Sequence, residues 1–163
     1  MRLVAFYLFL LAAQGLLSAA FGTLPAPDLF LVAVLTLLGR MAPWQLVGVA
    51  YGVGLLQDVV GHGTLGMHAI ALAGAALAAT AVRAQLSGTG LLERMLITVI
   101  AQAGKWVVAT ALLIWLSGVP AAPATLAAVA VTETVLTVAV ALLVLPWAEA
   151  TFAKSKVLQK ELL

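Results

Sequence analysis

Six apolar runs, separated by short clusters of proline, glycine and charged residues, make up nearly the whole chain. Within each run apolar residues cover every face of a helix instead of one stripe, a pattern suited to lipid and not to a soluble bundle. Period-two alternation is absent, which argues against an outer-membrane barrel. The first helix is expected over about residues 3–21, ending at Gly22-Thr-Leu-Pro-Ala-Pro27, where two prolines break the pattern. Asp28 opens the second, because a carboxylate at a helix N-terminus meets unpaired N–H groups and the positive dipole end. That run stops near Arg40-Met-Ala-Pro43. Further helices are expected over about 44–60, 65–82, 91–116 and 124–147, followed by a tail.

The second run is short for a crossing: about 12 to 15 residues give only ~18–22 Å against a hydrocarbon core of ~30 Å. A re-entrant segment is the alternative, and the basic residues decide between them, since Lys and Arg collect in cytoplasmic loops. With six crossings and a cytoplasmic N-terminus, Arg2, Arg40, Arg83, Arg94, Lys154, Lys156 and Lys160 all fall inside. Without the second crossing, Arg40, Arg83, Arg94 and the tail fall outside. The expectation is therefore an all-α, polytopic membrane protein with six transmembrane helices and both termini in the cytoplasm. Residues 1–148 form the transmembrane domain, and 149–163 a short basic cytoplasmic tail lying on anionic headgroups. Ser18-Ala-Ala20 after the first run has the look of a signal-peptide end, but the run reaches a spanning length and is read as a retained helix.

Composition narrows the chemistry. The chain of 163 residues is 64% hydrophobic and 9% charged, with a mean hydropathy of +1.19. A net charge of +2 is too small to suggest a nucleic-acid partner. The absence of cysteine removes disulfides, thiolate catalysis and cysteine-ligated metals. No metal or other cofactor is expected: His62 and His68 are six apart, with no zinc-helix spacing. The glycine-rich stretch 61–66 lacks the lysine of a phosphate loop, and no serine has a histidine and an acid arranged near it, so no catalytic residue is assigned. Gly48 and Gly52, and Gly66, Ile70, Gly74 and Ala78, have the spacing of close helix approach; packing within the bundle is preferred over a homo-oligomeric seam. Trp44 and Trp147 suit the inner boundary as belt residues, while Trp106 and Trp115 are read as packing.

Two kinds of polar group stand out. Lys105 and Glu133 lie mid-helix at similar distances from the turn between the fifth and sixth helices, so in an antiparallel hairpin the two meet. The plain reading is an intramembrane ion pair that registers the two helices. The sharper one is a proton or substrate site with Gln102, Thr98, Thr110, Thr132, Thr134 and Thr137 around it. Asp58 sits near the end of the third helix, where the dipole disfavours a carboxylate, so a partner must compensate it. His62, four residues on, is one candidate and a donor from another chain is the other. Gly61, Gly63 and Gly66 suit the tight turn that follows, and Thr64 suits the cap of the fourth helix.

Pro27-Asp28-Leu-Phe-Leu at the second helix, Gly54-Leu-Leu-Gln-Asp58-Val-Val-Gly61 at the end of the third and Leu65-Gly66-Met-His-Ala69 opening the fourth resemble the rod-shape-determining protein MreD family. The diagnostic residues cover about 27–70, and the second half offers nothing firm on which to place Lys105 or Glu133. The resemblance implies a non-enzymatic, multi-pass subunit of the bacterial inner membrane, with a fold similar to the substrate-binding subunits of energy-coupling-factor vitamin transporters. It implies MreC as the direct partner, with MreB, RodA and a class B transpeptidase in the wider peptidoglycan-building complex. On that reading Asp28, Asp58, Gly61, His62, Gly66 and His68 lie toward the outer side as partner-binding residues. The alternative is a vitamin-transporter subunit that uses Lys105, Glu133 and the threonines as ligand contacts.

Overall fold

The computed structural model describes the backbone of residues 2–22, 25–61, 64–86, 88, 90–118 and 122–161, with side chains of 2–8, 11, 18, 19, 60 and 151–161 left aside. Among the described residues the chain is all-helical, with α1 (Arg2–Phe21), α2 (Leu29–Leu35), α3 (Pro43–Gly61), α4 (Met67–Arg83), α5 (Leu91–Ser117) and α6 (Pro123–Glu161). Two stretches, Leu91–Ser117 and Pro123–Ala150, are long and apolar enough to cross a membrane.

The shortest helix is the hub. All seven residues of α2 are buried, and α2 touches each of the other five helices. Leu31, Val32 and Val34 pack against Leu46 and Ala50 of α3, Leu72, Ala75 and Ala79 of α4, Ala101 of α5 and Ala141 of α6. Small alanines on the surrounding helices let their backbones close on α2, which is apolar all round as a core helix must be.

Helix α2 is shorter than the sequence suggests because both ends are cut by local chemistry. Pro25 and Pro27 fix φ and lack an N–H, so residues 25–28 run extended and the helix starts only after Asp28. Its far end dissolves into turns that pass through Gly39 at φ +75° before Pro43 opens α3. Leu29 N–H donates to Gln14 Oε1 at 2.8 Å, which sets the start of α2 beside the middle of α1. Leu10 then packs on Leu29 and Ala33, so α2 runs antiparallel to α1. Seven residues rise only ~10 Å, and the extended approach adds up to ~13 Å.

Helices α3 to α6 follow as an antiparallel array, with close approaches at glycine. A Cβ at Gly54 would lie 2.6 Å from Ala69 N and from His68 O, so α3 and α4 meet backbone to backbone. A Cβ at Gly104 would lie 2.8 Å from Ala78 Cβ, which joins α5 to α4. Gly48 and Gly52 behave otherwise: both are exposed and a Cβ on either would meet nothing within 4 Å, so this pair does not pack against the described residues. Trp115, expected as a packing residue, is 80% exposed near the end of α5. Helix α6 does not stop at 147 but continues through Pro146 to Glu161, so the backbone of the expected tail extends the last helix.

The starts of α1, α3 and α5 share one end of the bundle with the ends of α2, α4 and α6. There Arg94 pairs with Glu149 at 2.6 Å, and Arg83 Nη1 donates to Gly88 O at 2.6 Å. Glu93 receives Gly88 N–H at 2.9 Å and Gly90 N–H at 3.0 Å, which closes the turn into α5.

Candidate functional site

The inward stripe of α5 carries Thr98, Ala101, Gln102, Lys105 and Ala109 at helical spacing, and all five are buried. Facing it, α6 presents Glu133, buried Thr137 and buried Ala141 one turn apart. The extended segment 25–28 comes down between them. Asp28 therefore enters the bundle at mid-height, 3% exposed, instead of lying at the outer face where the sequence placed it. The reason is that the chain doubles back after α1 before α2 begins.

Lys105 Nζ donates to Asp28 Oδ2 and also to Glu133 Oε1, the latter at 2.5 Å. The expected Lys105 and Glu133 are thus brought together, and Asp28 makes the pair a triad. Both acids are held by further bonds. Asp28 Oδ1 accepts Leu31 N–H at 2.9 Å as the cap of α2, and its own N–H donates to Thr137 Oγ1 at 2.9 Å. Gln102, fully buried, donates Nε2–H to Glu133 Oε1 at 2.8 Å. The threonines proposed around the pair divide. Thr137 joins the cluster, whereas Thr98, Thr132 and Thr134 donate their hydroxyls to carbonyls one turn back in their own helices.

Above the triad lies a polar cavity of about 220 Å³, lined by Gln14, Gly22, Ala26, Asp28, Gln57, His68, Lys105 and Glu133. Five helices contribute to it. Gln14 and Gln57 carry no assignment from the sequence, yet Gln14 is the lone amide of an apolar helix and Gln57 adjoins Asp58 in another, the signal that would have found them.

The second polar unit is the α3–α4 corner. Asp58, 2% exposed, accepts His68 N–H at 3.0 Å, Gly66 N–H at 2.8 Å and Ala69 N–H at 3.3 Å. His68 Nδ1 lies 2.7 Å from Asp58 Oδ1; a carboxylate only accepts, so this nitrogen carries the proton. The carboxylate that opposes the dipole of its own helix thus caps the next one, where the dipole favours it. His68 is an imidazole partner of Asp58, and His62, the candidate named from the sequence, lies outside the described residues. Thr64 is not the cap: Gly66 holds that position at φ +93°, in the left-handed region that glycine adopts freely. Gly61 ends α3 with open space around it.

A third feature is an apolar groove of about 270 Å³ between α1 and α3, floored by α2 and lined by Leu10, Phe30, Val34, Val49, Val53 and Leu56 among others. Among the described residues no group of three His, Asp or Glu side chains gathers to hold a metal. Comparison of the chain with protein-family models, curated proteins and solved structures finds no match to any of them.

Proposed function

We propose that this chain is a non-catalytic, MreD-like subunit of the bacterial rod elongation system, crossing the inner membrane six times with both termini in the cytoplasm. One observation carries the reading: two of the three stretches that carry the resemblance interlock at the α3–α4 corner. Gly54 and Asp58 from the α3 stretch clamp Gly66, His68 and Ala69 of the α4 stretch by close backbone contact and four hydrogen bonds.

The partner surface is then not the aspartates, whose oxygens are taken up inside the chain. The groove between α1 and α3, with the outward Gly48 and Gly52 beside it, suits the single span of MreC, because small residues and an apolar trough admit a second helix closely. The gathering of Arg40, Arg83 and Arg94 toward one end of the bundle supports six crossings under the positive-inside rule. MreB, RodA and the class B transpeptidase join through the wider assembly. The test is copurification of MreC in mild detergent with the native chain and with Gly48→Leu/Gly52→Leu. Loss of MreC from a folded variant is expected, and failure of the native chain to retain MreC would refute the proposal.

A second reading, the substrate-binding subunit of a vitamin transporter, is favoured by the polar cavity over Lys105. At about 220 Å³ this cavity falls below the ~300 Å³ at which pockets for drug-sized ligands begin. A vitamin retained through purification would decide for it.

A further inference from the structure

We propose that the cavity above Lys105 binds one monovalent cation, an alkali-metal ion or a small protonated amine, whatever partner the protein serves. The formal charge of the triad is unbalanced, since Asp28 and Glu133 supply two carboxylates and Lys105 one ammonium. In a helical bundle with little water an uncompensated carboxylate is costly, and a second cation offsets it.

Two amide oxygens, one on a residue of the cavity wall and one on the residue that donates to Glu133, lack partners among the described residues. Gln102, behind Glu133 and outside the cavity lining, is fully buried, donates its amide to Glu133 and leaves its Oε1 with no hydrogen-bond partner among the described residues. Gln57, in the cavity wall, has a buried Oε1 in the same state. Buried polar atoms rarely stay unsatisfied, and an ion or water is the usual explanation. Carboxylate and amide oxygens together make a hard-cation environment. An anion is disfavoured because the lysine is flanked by both acids. The remaining charge of minus one matches a monovalent ion, whereas a calcium or magnesium site draws on more carboxylates than are free here. At ~30 Å³ per water, a cavity of about 220 Å³ holds a partly hydrated ion or a methylammonium-sized amine.

The test uses the full chain in detergent at fixed pH and ionic strength, with N-methylglucamine chloride as the bulky reference salt. Sodium, potassium or methylammonium chloride replaces it stepwise while unfolding is followed by tryptophan fluorescence. A saturable rise in the unfolding temperature is expected for at least one of the three, and which one responds separates the inorganic from the organic source. Gln57→Leu should raise the half-saturating concentration tenfold or more. Direct binding of radiolabelled sodium, competed by the other two, provides a reading that needs no variant. Equal unfolding temperatures in all four salts, or an unaltered response in Gln57→Leu, would each overturn the proposal.

Discussion

Replacing Lys105 by methionine tests the core of the arrangement. At 2.5 Å from Glu133, an effective dielectric of about 20 gives roughly 7 kcal/mol of gross attraction per ion pair. Repulsion between the two carboxylates and a desolvation cost of several kcal/mol per ion offset most of that, so the intact triad contributes little net stability. Removing the lysine alone is different: both acids stay buried and unneutralised, and the loss should be about 3–5 kcal/mol. Because Asp28 is the third member, Lys105→Met/Glu133→Leu still leaves a carboxylate stranded and should recover only part of the loss. Lys105→Met/Asp28→Asn/Glu133→Gln removes every charge, and asparagine still caps α2, so it should regain most of it. Reversible unfolding in mixed micelles, titrated with a denaturing detergent, measures all four proteins. A triple variant no more stable than Lys105→Met would refute the account of the triad.

Other perturbations address separate parts of the structure. Asp58→Ala strips four donors of their acceptor and should cost about 2–4 kcal/mol, with Asp58→Asn intermediate; equal stability of alanine and native proteins in the same titration contradicts the capping role. Gly54→Ala forces a Cβ into the backbone of α4 and should cost about 1–3 kcal/mol, whereas Gly52→Ala, facing open space, should be nearly neutral. The chain lacks native cysteine, so single cysteines at the exposed positions Thr64 and Gln85 report topology in cells. Thr64→Cys should react with an impermeant maleimide from outside and Gln85→Cys only after permeabilisation; the reverse pattern overturns the six-span arrangement.

Much of this protein is legible in its residues one helix at a time. Apolar runs bounded by proline and glycine foretell six helices, and equal counts of residues from one turn put Lys105 opposite Glu133, because an α-helix has a fixed rise. The glycines and Asp58 mark the α3–α4 corner for a related reason: a carboxylate at the wrong end of a dipole demands a partner nearby. Periodicity is less informative about which faces touch. In a chain apolar on all sides, the core face and the lipid face carry the same residues, so the outward turn of Gly48 and Gly52, and of Trp115, had no signature.

Only the tertiary structure decided where Asp28 goes. Its burial depends on the chain doubling back between α1 and α2, so that a helix cap more than a hundred residues from Thr137 meets that side chain and Lys105 at one depth. No local pattern encodes such a return path. The cavity arises the same way, from five helices each contributing one polar group to a space that none of them defines alone.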